Sequence, residues 1–230
     1  MLTLPERPYS VEPNREERLP FSVRVATTSQ DVARAVEIRA SAYSRHLPQV
    51  GEALRTAEKE DWRPDVLLLL AERKLDGRPI GSMRLEPNFS GPLRVEGETS
   101  LPAMFRNKRL IETTRLGVDN GIAGSLVMAA LVKASFEICS ACSIDYGIAV
   151  GRRSMGEMFK SLCFEVIKGP VSMSYARPST QFWIFAIPTL GWESRLRQQG
   201  HIYFDFMART SHPDIDIDYE RVYQSFGVPR

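Results

Sequence analysis

The sequence predicts a mixed α/β (α+β) domain with a mostly antiparallel central sheet flanked by helices. Three observations carry this. Asp76-Gly77 separates two apolar runs, Asp65 to Glu72 and Pro79 to Glu86, which is the signature of a hairpin. Apolar stripes with helical period cover Gln30 to Arg45 and Ile122 to Ala141. Between and after them come short β-rich runs, Ile144 to Val150, Cys163 to Ile167, Phe182 to Ile187 and His201 to Met207.

With 230 residues and no convincing linker, one large domain is expected over residues 22–210, with an extended arm at 1–21 and a tail at 211–230. Thirty basic against 28 acidic residues give no argument for a nucleic-acid partner. Arginine outnumbers lysine, which suits anion recognition and also simple compositional bias. Cys139, Cys142 and Cys163 are an odd set in a chain without a secretory signal, so free thiols are expected. The Cys139/Cys142 pair falls in a helical run with only His46, His201 and His212 scattered elsewhere, so helix packing is expected and no metal site. Lys133 and Glu137 interrupt the longest apolar stretch; a soluble, cytoplasmic protein without a membrane span is the expectation.

The chain in order begins with Pro5, Pro8, Pro13 and Pro20 among charges, which suits an extended arm. Ser22 to Ala26 alternates as a first strand, and Thr28-Ser29-Gln30-Asp31 reads as a helix entry. On the helix that follows, Val32, Val36, Arg39 and Tyr43 share one stripe, so Arg39 lies on the apolar face. A buried guanidinium needs a carboxylate, and Glu112 is the expected partner; the alternative is that Arg39 snorkels to the rim. Glu52 to Asp65 is charged and reads as a loop with a helical turn or two, and the hairpin then carries Arg84 on its second strand. A Gly- and Pro-rich connection, Pro87 to Pro102, and the basic Arg106-Asn107-Lys108-Arg109 precede the central stretch.

That stretch, Leu110 to Val118, reads as a strand yet holds Glu112 and Arg115 three residues apart. Regular pleating sends such positions to opposite faces, so the two share a cleft only if the strand bulges between them. The alternative is a structural ion pair or one charge facing solvent. Arg152 to Leu162 reads as a helix whose first residues, Arg152 and Arg153, oppose the helix dipole unless an anion sits there; exposure to solvent is the other account. Gly191 to Gln199 reads as helical, Asp214 to Asp218 as an acidic tail, and Tyr219 to Phe226 as a last short helix.

The order of elements over residues 22–210 resembles the GNAT acyltransferase fold, and the charged residues resemble its branch of autoinducer synthases and N-acyl amino acid synthases. Arg39 and Tyr43 match an Arg-x-x-x-aromatic pair on the first helix, Arg84 an arginine ending the third strand, and Glu112 with Arg115 a Glu-x-x-Arg on the fourth. There are departures. Asp119 to Ser125 lacks the glycine spacing of a diphosphate-cradling loop and presents an acid where a diphosphate would approach. The tryptophan of autoinducer synthases is absent around Leu47 to Val50, and Asp61 and Asp65 match their aspartates only loosely, which weakens the case for homoserine lactone formation.

The resemblance implies an N-acyltransferase that moves a fatty acyl group from an acyl-carrier-protein thioester to the amine of an amino acid, with no covalently bound cofactor and with a CoA thioester as the second-ranked donor. Glu112 is expected to take the amine proton, with its pKa lowered by pairing with Arg39 and Arg115. Amides near Leu116, Gly117 and Val118 would hold the oxyanion. The acyl chain would lie along the helix Ile122 to Ala141 and the pantetheine between splayed fourth and fifth strands. Arg106, Lys108, Arg109, Arg152 and Arg153 are candidates to meet an acidic carrier protein, against ordinary solvated decoration. Three other readings stay open: an acyl-homoserine-lactone synthase, a CoA-dependent N-acetyltransferase, and a non-catalytic acyl-binding sensor.

Overall fold

The structure is a computed structural model and describes residues 15–121, 124–177 and 179–228. Strand β1 (Arg15–Glu16) leads to β2 (Phe21–Val25), helix α1 (Ser29–Ser44) and the short α2 (Pro48–Ala53). Next come the hairpin β3 (Leu67–Arg73) and β4 (Pro79–Pro87), and then β5 (Leu110–Val118), α3 (Gly124–Ala141), β6 (Tyr146–Arg152) and α4 (Gly156–Ser161). The chain closes with β7 (Glu165–Val171), β8 (Phe182–Pro188), α5 (Trp192–Gln198), β9 (Thr210–Ser211), β10 (Ile215–Asp216) and α6 (Tyr219–Phe226). Eight strands form one sheet in the order β10-β2-β3-β4-β5-β6-β8-β7. Only β10 with β2 and β5 with β6 run parallel, so the sheet is mostly antiparallel, as predicted.

Local chemistry sets the boundaries that matter for the site. Helix α1 starts at a capping box: Thr28 Oγ1 accepts the Asp31 amide at 3.1 Å, and the Asp31 carboxylate accepts the Thr28 amide at 3.0 Å. At the hairpin, Gly77 adopts φ +68°, which its missing Cβ permits.

The sheet has two different faces. On one, Leu67, Leu69, Ala71, Met83, Leu85 and Ile111 pack against α3 in the main core. On the other, Leu68 and Leu70 pack against Val32, Ala35 and Val36 of α1, while Leu110, Ile148 and Ile184 pack under Leu93, Val95 and Phe105 of the β4–β5 connection. Between those two apolar clusters lies a strip of charge. Helix α3 is long and apolar enough to cross a membrane, but most of it is buried within the protein. The three cysteines are free and buried in the main core.

Two strand features shape the middle. In the β4–β5 ladder Ser82 pairs with Gly117 and Arg84 with Thr114, so Arg115 and Leu116 together stand opposite Met83: β5 carries a one-residue bulge. Parallel pairing of β5 with β6 covers only Leu110 to Thr113, although β5 runs on to Val118 and β6 to Arg152, so the strands part beyond Thr113 and Ala149.

Several expectations differ from the structure. His201 to Met207 is not a strand; it leads into a π-helical turn, Asp205–Arg209. The segment joins no ladder of the eight-stranded sheet and buries Met207 in the main core instead. Arg152 is held in β6 opposite Phe182, which shortens the expected helix to a 3-10 turn, Arg153–Met155, and α4. Cys163, with φ +67°, belongs to the turn before β7. Residues 15–20 lie against the body, with β1 paired to β9 and Leu19 buried. Beyond residue 210 the chain still contributes β10 to the sheet and Val222 and Phe226 to the core. Ile122 and Ala123, expected at the start of α3, and residues 1–14 of the arm lie outside the described residues.

Candidate active site

The strip of charge is built from four elements. Arg39 comes from α1, Arg84 and Glu86 from β4, Glu112, Thr114 and Arg115 from β5, and Glu58 and Asp61 from the segment before β3. Leu68 and Arg84 are ladder partners, as are Arg84 and Thr114 and then Glu86 and Glu112, so these side chains share the α1 face. Arg115 would point to the other face in a regular strand. Its φ of +54° within the bulge turns it back to join them, an unusual backbone for a non-glycine residue.

Gly117 fixes the approach of α1. A Cβ there would stand 3.1 Å from both the Ala42 Cβ and the Arg39 Cα, so a side chain would push the helix back by a few tenths of an ångström, and glycine favours the close approach that brings Arg39 to the sheet. The Asp119 amide donates to the Ile80 carbonyl at 2.8 Å, and ladder alternation then turns the Gly117 amide toward β4 as well. Of the three expected oxyanion donors, Val118 therefore faces the open side and Gly117 does not, while Leu116 stands in the bulge, where the alternation is broken. On that open side Arg45 donates to the Val118 carbonyl at 2.6 Å.

The partners differ from those expected. Arg39, wholly buried, forms a two-pronged pair with Asp61 at 2.8 Å on each side, not with Glu112. Arg84 donates to Asp61 at 2.9 Å, Glu58 at 3.0 Å and Glu86 at 2.9 Å. Arg115 clamps Glu58 with two bonds of 2.6 Å. Glu58 and Asp61 thus do the pairing expected of Glu112. The signal for them in sequence is Glu58-x-x-Asp61 within a charged loop, where Asp61 offers only a loose match to the resemblance and Glu58 none.

Glu112 is left without an arginine. It is 2 % exposed, and its one hydrogen bond among the described residues comes from the Val95 amide at 2.9 Å. Burial, with the facing charge of Glu86, pushes its carboxyl up to about 7, against the Val95 amide and the charges of Arg94 and Arg84; the expected lowering is reversed. Glu58 goes the other way. Burial opposes its charge, but the hydrogen bonds of Arg115 and the charges of Arg115, Arg84 and Arg94 outweigh it and hold it down at about 2. Asp61 is lowered too, because Arg39 and Arg84 overcome its burial. Burial raises the Tyr43 hydroxyl, which faces Arg115. Glu86 accepts from Thr114 Oγ1 at 2.6 Å as well as from Arg84.

An ion network of this kind is poor evidence for stability, since well-packed apolar residues often do as well. Two carboxylates held low beside one held near neutrality is instead the pattern of an acid–base site.

Arg152 and Arg153 stand outside the network, at the β6 end where β5 and β6 have parted. Arg106, Lys108 and Arg109 precede β5 and so lie at the opposite, paired end of the gap; Arg109 stacks on Phe89 at 4.0 Å and Lys108 is 3.5 Å from Asp145. The expected basic surface is therefore divided between two ends of the sheet. On the α3 face, between α3 and α4, an apolar cavity of about 280 Å³ is lined by Met128, Val132, Met158, Leu162, Tyr203 and Met207.

This architecture, a sheet opened between its two central parallel strands with a bulged strand at the gap, is the GNAT fold. No protein-family model and no curated protein sequence matches the chain. Solved structures do. FeeM, an N-acyl amino acid synthase from uncultured soil microbes, is 15% identical with a TM-score of 0.60 over 81% of this chain and 97% of its own. BjaI, a CoA-dependent acyl-homoserine lactone synthase, is 14% identical with a TM-score of 0.58 over 89% of this chain and 98% of its own. An N-acetyltransferase assigned in Lactobacillus plantarum is 15% identical with a TM-score of 0.54 over 75% of this chain and 100% of its own.

Proposed function

We propose that the protein is an N-acyltransferase that moves a fatty acyl group from an acyl-carrier-protein thioester to the amine of an amino acid. The observation that carries this is Glu112: a buried carboxylate near neutrality, left unpaired in a site where neighbouring carboxylates are clamped by arginine. Near pH 7 most free amines are protonated, and a base whose pKa lies near the working pH is the efficient one. In the step, the amine nitrogen bonds to the thioester carbonyl carbon, its proton passes to Glu112 directly or through water, and as the C–S bond breaks the departing thiolate takes that proton and leaves as the thiol. The main-chain amide of Val118 faces the developing oxyanion, with that of Leu116 in the bulge beside it. Arg39, Arg84 and Arg115 hold Glu58 and Asp61 and so set the walls and the field of the site, with Tyr43 beside Arg115.

The pantetheine arm enters where β5 and β6 part, and the acyl tail occupies the apolar cavity between α3 and α4, the two helices that leave those strands. Arg45, Arg152 and Arg153 stand at that opening and suit an acidic carrier protein. Asp119, 3.4 Å from Arg78, keeps a carboxylate where a diphosphate would approach, which favours the carrier over CoA. BjaI, CoA-dependent by name, supports a CoA thioester as the second reading of the donor. Purified protein given acyl-carrier thioesters or acyl-CoA with mixed amino acids should yield N-acyl amino acids by mass spectrometry, faster from the carrier. No N-acyl product from either donor overturns the assignment.

A further inference from the structure

We infer that Arg94 holds the carboxylate of the acceptor, which makes the acceptor class a free α-amino acid rather than an amino-acid amide or a simple amine; this rests on the acyl-transfer reading. The site's other arginines are occupied and closed off. Arg39 and Arg84 have wholly buried side chains and Arg115 is 9 % exposed, and each has a carboxylate oxygen within 3.0 Å. Arg94 is 28 % exposed, and its nearest carboxylate among the described residues is Glu58, at 3.8 Å. A solute arriving from water therefore meets one guanidinium with donors to spare.

Its place along the chain ties it to the base. Arg94 opens the 3-10 turn Arg94–Gly97, and the next residue, Val95, donates its amide to Glu112 at 2.9 Å. One carbon separates the amine and carboxylate of an α-amino acid, so reading both takes a cation and a proton acceptor held close together. Consecutive residues of one tight turn provide that: Val95 fixes Glu112, and Arg94 carries the charge beside it. The Arg94 guanidinium carbon lies over the Tyr175 ring, 5.6 Å from its centroid, a cation–π contact that uses none of its N–H donors.

The test is a competition. Wild type and Arg94→Gln receive one acyl-carrier thioester with an equimolar pool of protein amino acids and the same amino acids as carboxamides, and N-acyl products are counted by mass spectrometry. Arg94→Gln should move the product ratio at least tenfold toward the amides, and Arg94→Lys, which keeps charge without the fork, should move it less. An unchanged ratio overturns the inference, as does an increase in KM for the thioester alone, which would give Arg94 to the donor's phosphate. Saturation-transfer NMR of the two pools needs no turnover. Amino acids that contact wild type and lose contact in Arg94→Gln support the inference even where no product forms, in which case the acyl-transfer reading fails by itself. Contacts unaffected by the substitution overturn it.

Discussion

Asp61 binds Arg39 through both carboxylate oxygens, at 2.8 Å each, with neither side chain exposed to solvent. The pair joins the loop before β3 to α1, and through Arg84 to β4, so one aspartate ties three elements around the site. Asp61→Asn should destabilise the fold by about 3–5 kcal/mol, because it leaves the buried Arg39 guanidinium no carboxylate nearer than Glu58 at 3.9 Å and takes one of three from Arg84. Glu58→Gln should cost less, about 2 kcal/mol, since its side chain is one-fifth exposed and water can take over part of the pairing. Chemical denaturation of both variants checks the order; equal losses contradict it.

Glu112 is expected to oppose stability at high pH. Its carboxyl stands at about 7 in the fold against 4.5 for the free group, so its contribution is complete below 4.5 and is lost as pH rises through 7. Glu112→Gln keeps an acceptor for the Val95 amide and removes the buried charge. It should therefore be more stable than wild type at pH 8, by up to about 3 kcal/mol, and nearly equal at pH 4.5. Thermal unfolding at the two pH values reads this directly; a variant less stable at pH 8 contradicts it.

Burial is the main cause of the raised proton affinity of Glu112, and the carboxylate opposite it on β4 adds to it. Glu86 and Glu112 are ladder partners, and Arg84 is turned to Glu86 instead of to Glu112. Glu86→Gln removes the repulsion and frees Arg84, so the acid limb of the pH–rate profile should move down by about one pH unit. Glu86→Asp should restore it. An unmoved limb in Glu86→Gln removes this control.

Away from the site, Lys133 Nζ donates to the Phe206 carbonyl at 3.2 Å and lies 3.2 Å from His212 Nδ1, joining α3 to the closing segment. Burial, with the charge of Lys133, pushes His212 down to about 4, against the pull of Asp214. A lowered histidine gives stability that is complete above about 6.5 and is lost as pH falls through 4. Wild type should lose up to about 3 kcal/mol more than His212→Asn over that window. Parallel slopes of Tm against pH in the two proteins contradict this.

How much of this was legible in the sequence follows from range. The bulge in β5 was readable because Glu112 and Arg115 have the wrong parity for one strand face, and the hairpin because Asp76-Gly77 is a local signal. Arg39 was readable as buried because α1 repeats with a fixed period. Its partner was not. Asp61 reaches it through a loop whose path no periodicity encodes, whereas Glu112 is the charge that the order of strands places nearby. His201 to Met207 has the composition of a strand yet leads into a π-helical turn, because composition does not encode the packing that buries Met207 in the core.

The central claim, that Glu112 takes the proton from the attacking amine, is tested most directly by the pH dependence of kcat/KM for acyl transfer in wild type and Glu112→Gln. The account predicts an acid limb with a midpoint near 7 in wild type, and in Glu112→Gln a rate at least 100-fold lower with that limb gone. A variant that keeps both the rate and the limb would contradict it.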